Sequence, residues 1–157
     1  MPKRRGLGGA PEAVFSTGKM TQLRRYFSQR PEIAAVFLFG SLARGEARPD
    51  SDLDLGVLLT RGGVEARVNR PQLVLDMMSI WERPDVDVVI LNGAPPLLLH
   101  RVVRDGHVLY AVNMEVIAEF TIRAFQEYED TRPLRNLQAA RLQRQLTALR
   151  PRRGEQP

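Results

Sequence analysis

The run Ile33-Ala-Ala-Val-Phe-Leu-Phe39 is apolar at every position and stops at Gly40. So short and uniform a run suggests a strand buried on both faces, since a half-exposed strand alternates and a helix spreads its apolar residues over a longer stretch. Leu53 to Thr60 begins with alternation, turns apolar and closes at Gly62-Gly63, which predicts a second strand paired with the first or nearly so. Asp85-Val-Asp-Val-Val-Ile-Leu91 followed by Asn92-Gly93 predicts a third. Helical spacing fills the intervals. One helix is expected over 19–29, capped by Thr17 or Ser16 and ended by Pro31, and another runs from Val64 to Trp81, with Pro71 either starting its regular part or kinking it. Pro95-Pro96 opens a helix that Gly106 should close as a left-handed cap, and Val108-Leu109-Tyr110 is at most a short strand. A long helix carries Met114, Ile117, Thr121, Phe125 and Tyr128, and Pro133 separates it from an amphipathic segment with Leu134, Leu137, Leu142, Leu146 and Leu149. The expected fold is α/β (α+β): a small mixed sheet with helices packed on one side and further helices at the C-terminus.

Charge divides the chain more sharply than its total of +5 suggests. Residues 1–30 hold seven Lys/Arg and one acid, residues 31–130 nine Arg and sixteen acids, and residues 131–157 seven Arg and one acid. The net values are +6, −7 and +6, which sum to +5. This pattern sets a basic, glycine-rich arm (1–18) and a basic helical extension (131–157) around one acidic domain (19–130). The middle is therefore unsuited to gripping a nucleic-acid backbone by its own charge, and only the basic ends suit that role. An acidic domain that holds a nucleotide triphosphate needs divalent cations to reverse the local sign. With no cysteine, disulfides, thiolate metal sites and cysteine nucleophiles are excluded. The longest apolar stretches, Ala34–Phe39 and Val86–Leu91, fall far short of the ~20 residues of a membrane span, so a cytoplasmic protein is expected.

The chemistry concentrates between the first two strands. Gly40-Ser41 is followed after ten residues by Asp52-x-Asp54. Side chains alternate along a strand, so Asp52 and Asp54 project from one face about 7 Å apart while Leu53 and Leu55 enter the core. Paired carboxylates of this kind suit magnesium, which takes one or two protein carboxylates and completes its shell with phosphate oxygens and water. Gly40 lets the backbone turn without a Cβ, so that the amides and hydroxyl of Ser41 can approach phosphates. Asp87 adds a carboxylate on another strand and is a candidate base for an acceptor hydroxyl. Asp85 is expected to be solvated or ion-paired, Ser51 either orients the nucleotide or caps the turn, and Arg44 and Arg48 either approach phosphates from the loop or are simply solvated there. His100 and His107 have no second His or Cys near enough to suggest zinc, so packing roles are expected for both.

The block from Gly40-Ser41 to Asp54, the strand Val86-Asp87-Val88, Asn92-Gly-Ala-Pro-Pro96 and Arg104-Asp-Gly-His-Val-Leu-Tyr110 resemble the minimal nucleotidyltransferases of the polymerase-beta superfamily. More narrowly they resemble the MNT-type antitoxins of HEPN–MNT toxin–antitoxin pairs, over about residues 19–128. The resemblance implies a nucleotidyltransferase fold. Gly40, Ser41 and Ser51 would meet ATP, and Asp52, Asp54 and Asp87 would carry two Mg²⁺ ions, with Asp87 assisting acceptor deprotonation. It further implies transfer of AMP to a tyrosine of a separate HEPN RNase toxin, which is thereby silenced. Adenylylation of a small molecule such as an antibiotic, and neutralisation of a toxin by binding alone, are the alternatives.

Overall fold

The computed structural model describes residues 15–46, 48, 51–62 and 68–148. Most of the basic arm (residues 1–14), the start expected at Val64 for the second helix, and the C-terminal Leu149, Arg150, Arg152 and Arg153 lie outside the described residues. The element order is α1 (Thr17–Ser28), β1 (Ile33–Phe39), α2 (Gly40–Arg44), β2 (Leu53–Leu59), α3 (Arg70–Trp81), β3 (Val86–Ile90), α4 (Pro96–Asp105), β4 (His107–Ala111), α5 (Met114–Asp130) and α6 (Arg132–Ala148). The four strands form one mixed sheet in the order β3-β2-β1-β4. β1 is antiparallel to both β2 and β4, and β2 is parallel to β3. No helix among the described residues is long and apolar enough to cross a membrane.

Local signals start and stop these elements. Ser16 accepts from the Lys19 amide at 3.4 Å and caps α1, Asn69 accepts from Gln72 at 3.1 Å ahead of Pro71 in α3, and Asn113 accepts from Val116 at 3.0 Å to cap α5. The folded body therefore begins inside the segment assigned to the arm: Phe15 packs against the core and its ring meets His107 edge-on. Thr131 alone separates α5 from α6, and Pro133 sits in the first turn of α6, where its missing N–H is tolerated. Gly106 ends α4 without being a left-handed cap, since its φ of −79° and ψ of 159° are extended. It is required for another reason. A Cβ there would lie 2.3 Å from the Val102 carbonyl oxygen and 3.1 Å from that of Leu38, so only glycine lets α4 turn this tightly into β4.

The helices cover both sheet faces, not one as expected. On one face Ile33, Val36 and Leu38 of β1, the odd positions of β2 and Val86, Val88 and Ile90 of β3 pack with Leu23 and Phe27 of α1 and Leu73, Met77 and Trp81 of α3. On the other, Ala34, Ala35, Phe37 and Leu58 pack with Leu99 and Val102 of α4 and Phe120 and Ala124 of α5. The uniformly apolar β1 is the physical reason, because a strand with Leu38 and Phe37 both buried needs a layer on each side. Coverage by α4 and α5 centres on β1 and β4, and the start of β2 and the neighbouring part of β3 stay open on that face, where Asp52 and Asp87 are exposed. Between α1 and α3, the Tyr26 hydroxyl donates to Asp76, which also takes Arg30 at 3.4 Å and Gln72 at 2.8 Å; burial pushes the Tyr26 phenol well above its usual range.

Candidate active site

Register brings the acids together. Asp54 is the partner of Phe39 at the end of β1 and of Asp87 on β3, so its two cross-strand neighbours are the residue before Gly40 and the third carboxylate. Adjacent strands lie about 4.8 Å apart, and residues paired in register point to the same face. Asp52, two residues before Asp54, shares that face by alternation. The charges of Asp87 and Asp52 both push the Asp54 carboxyl above the usual carboxylate range, adding to the larger effect of its burial, while Arg44 opposes them.

Gly40 is built against this group. Its φ of +77° is left-handed, and a Cβ at that position would fall 1.9 Å from Asp54 Oδ2 and 2.9 Å from its Cγ. The glycine thus serves two ends: it turns the chain from β1 into α2, and it leaves room for the Asp54 carboxylate. Ser41 follows in the first turn of α2, and its hydroxyl makes no hydrogen bond among the described residues. Ser51 is engaged in the turn, accepting from the Arg48 amide at 2.8 Å while its own amide donates to the Arg48 carbonyl at 3.0 Å. Arg44 pairs with Glu46 at 2.8 Å in solvent.

Two arginines at the site escaped the sequence reading. Arg83 Nε donates to Asp85 at 2.9 Å, and its Nη2 donates to the same carboxylate and, at 2.6 Å, to the Ser51 carbonyl. This pair holds Asp85 below the usual carboxylate range and fixes the residue that precedes Asp52. The signal was present: Arg83, Asp85 and Asp87 alternate, so they share one side of the β3 entry. Arg70, at the start of α3, reaches Asp87 Oδ1 at 3.4 Å, and the Val88 amide donates to the same oxygen at 2.9 Å. Nothing near Arg70 in the sequence announces that contact. His107 and His100 pack as expected: the His107 ring bonds the Ala43 carbonyl at 2.9 Å, and His100 stacks on Tyr128 at 3.9 Å.

No three carboxylates or imidazoles among the described residues form a ready-made metal cage. Magnesium does not require one, because it binds through one or two carboxylates with substrate oxygens and water. An all-oxygen donor set whose central member is destabilised by its acidic neighbours suits such a cation. A separate cavity of about 450 Å³ lies at the far end of β1 and β2, against α5, and is lined by none of these acids.

Residues 21–115, which span the whole of this arrangement, match the family of polymerase beta nucleotidyltransferases. The chain belongs to that family. Among its relatives is the protein adenylyltransferase MntA of Shewanella oneidensis, 30% identical over 104 residues, covering 65% of this chain and 73% of MntA. A crystal structure of a toxin–antitoxin with AMP-PNP superposes with a TM-score of 0.66 at 25% identity, over 80% of this chain and 97% of that one. The structure of a tri-AMPylated Shewanella oneidensis HEPN toxin in complex with MNT antitoxin gives a TM-score of 0.64 at 21% identity, over 80% and 96%, and shows the shared fold. The nucleotidyltransferase fold with its mixed sheet therefore stands as the sequence implied.

Proposed function

We propose that the chain is a magnesium-dependent protein adenylyltransferase that moves AMP from ATP to a tyrosine of a cognate HEPN RNase toxin and thereby acts as its antitoxin. The observation that carries this reading is Gly40 pressed against Asp54 with Asp87 alongside, in a family member 30% identical to a protein adenylyltransferase. Because ATP is the donor, the reaction is assigned to the cytoplasm.

Gly40 and the backbone and hydroxyl of Ser41 face the triphosphate, and Ser51 shapes the turn that delivers Asp52. Asp52, Asp54 and Asp87 are the residues that would hold two magnesium ions. Magnesium, when bound, supplies positive charge to the entering and leaving oxygens of an in-line displacement. The tyrosine hydroxyl attacks the α-phosphorus, the new O–P bond forms as the bond to pyrophosphate breaks, and the hydroxyl proton passes to an Asp87 oxygen. Asp54, raised by its surroundings, is the group that gains most from a cation.

The test is incubation with labelled ATP, magnesium and the product of the adjacent gene. Label should appear on that protein and vanish with Asp52→Ala plus Asp54→Ala. No transfer to a verified cognate partner refutes the reading, and full neutralisation of the toxin by the double variant would replace catalysis with occlusion.

A further inference from the structure

Helix α2 is a single turn of five residues, Gly40–Arg44, and it carries Ser41. A lone turn of helix is unfavourable, because the dihedrals of several residues are fixed for one hydrogen bond, so its persistence depends on what grips its two ends. At the first end the Gly40 backbone lies against Asp54, where a Cβ would stand 1.9 Å from Oδ2. At the second end the last carbonyls need donors. The Gly45 amide donates to the Leu42 carbonyl at 3.3 Å, and the Glu46 amide donates to that of Ser41 at 3.0 Å. The Ala43 carbonyl is met by a side chain from far along the chain: His107 Nε2 donates to it at 2.9 Å.

The sheet puts this imidazole in place. His107 opens β4 and is the register partner of Leu38, whereas Asp54 on β2 is the partner of Phe39. The end of β1 is therefore flanked by the carboxylate on one side and the imidazole on the other, and α2, which continues β1, meets both. Phe15 packs against the core and its ring meets the imidazole edge-on, with 5.6 Å between centroids. A carbonyl can only accept, so Nε2 carries a proton in the neutral ring and in the imidazolium alike, and the bond does not depend on the charge of the ring. Leu42 and Ala43 are buried, which keeps the turn on the core. Apolar burial has no direction, whereas a hydrogen bond does, and the bond from His107 is what orients the turn.

Resting on the adenylyltransferase reading above, we infer that His107 is a positioning residue for the nucleotide: through the Ala43 carbonyl it orients α2 so that the amide and hydroxyl of Ser41 meet the phosphates beside Asp54. It sets ATP affinity without contacting ATP.

Two variants of the full chain separate the bond from the ring. His107→Phe keeps a ring against Phe15 and loses the donor; His107→Gln loses the ring and keeps an N–H of similar reach. Without nucleotide, hydrogen exchange of amides 42–46 read by mass spectrometry should quicken about tenfold in His107→Phe and stay within about threefold of wild type in His107→Gln, with α1 and α3 unchanged. Calorimetry with magnesium and a non-hydrolysable ATP analogue should show binding weakened by about five- to tenfold in His107→Phe and close to wild type in His107→Gln. In transfer of labelled AMP the loss should fall on KM for ATP more than on kcat. His107→Leu, a second side chain without a donor, should repeat the phenylalanine result, and His100→Phe, on the Tyr128 stack, should match wild type throughout. Exchange or analogue affinity within about twofold of wild type in both donorless variants overturns the inference. So does an equal loss in His107→Gln, which would assign the effect to ring packing. Normal transfer by the donorless variants at unchanged KM removes His107 from the nucleotide site and leaves the adenylyltransferase reading standing. Failure of the wild-type chain to bind the analogue with magnesium overturns both.

Discussion

Gly40→Ala is the sharpest probe of the site. The added methyl would stand 1.9 Å from Asp54 Oδ2, where ordinary contact begins at 3.4 Å, so the two groups must part by 3.4 − 1.9 = 1.5 Å. Movement of Asp54 outward displaces a carboxylate paired in register with Asp87, and movement of Gly40 backward shifts Ser41. A misplacement of about 1 Å in a reacting constellation costs on the order of 10²-fold in rate. Retaining φ near +77° adds about 1–2 kcal/mol of strain for a residue with a Cβ. A total near 2 kcal/mol lowers the melting temperature by roughly 4–8 °C in a domain of this size. Single-turnover transfer of labelled AMP to the partner, with a thermal melt of the same preparation, reads both quantities. Gly18→Ala is the control, since nothing lies within 4 Å of its Cβ position in α1. Transfer by Gly40→Ala within about threefold of wild type would refute the argument that this contact positions the reacting groups.

Asp54→Asn should melt higher than wild type at neutral pH without divalent cation. Asp54 is raised in the folded state, chiefly by burial, so that state binds its proton more tightly than the unfolded chain. Its contribution to stability is greatest below the unfolded value of about 3.9 and falls as pH rises through the folded value. Melts against pH with and without magnesium check this, and the cation should stabilise wild type more than the variant. Arg83→Ala removes the ties to Ser51 and Asp85 and should cost about 2 kcal/mol as well as slowing transfer, with no rescue by lysine; chemical denaturation and rate measurements decide it. Gly106→Ala meets the Val102 carbonyl and should destabilise by about 1–3 kcal/mol, while transfer measured well below its melting temperature stays normal.

The elements legible beforehand were those with local causes. β1 and β2 declared themselves by apolar runs ending at glycines, α4 by its paired prolines, and the Gly40 to Asp54 spacing by its setting between two strands. Sheet order was not legible, because it depends on β3 crossing to lie parallel beside β2 and on β4 taking the far edge of β1. Gly106 was assigned the wrong constraint for a more local reason: a glycine after a helix suggests a left-handed cap, whereas here the chain leaves α4 in extended conformation and the Val102 carbonyl oxygen, four residues back, leaves no room for a Cβ. Placing the helices on one side overlooked what the unbroken apolar run of β1 already required. Arg70 and Arg83 were missed since exposed arginines are abundant in this chain, and only the folded register reveals which of them meet Asp87 and Ser51.

The parallel pairing of β2 with β3 places Asp54 and Asp87 side by side across a long loop that includes α3, whereas Gly40 and Asp54 are joined within a single antiparallel hairpin. Half of the constellation therefore forms early with the local hairpin, and the other half waits for the slower, non-local closure. In the proposed reaction, which draws on Asp87, a chain in which β3 has not yet docked would carry the glycine turn and two acids but lack the third carboxylate. The chemistry assigned to this site would therefore wait on completion of the sheet.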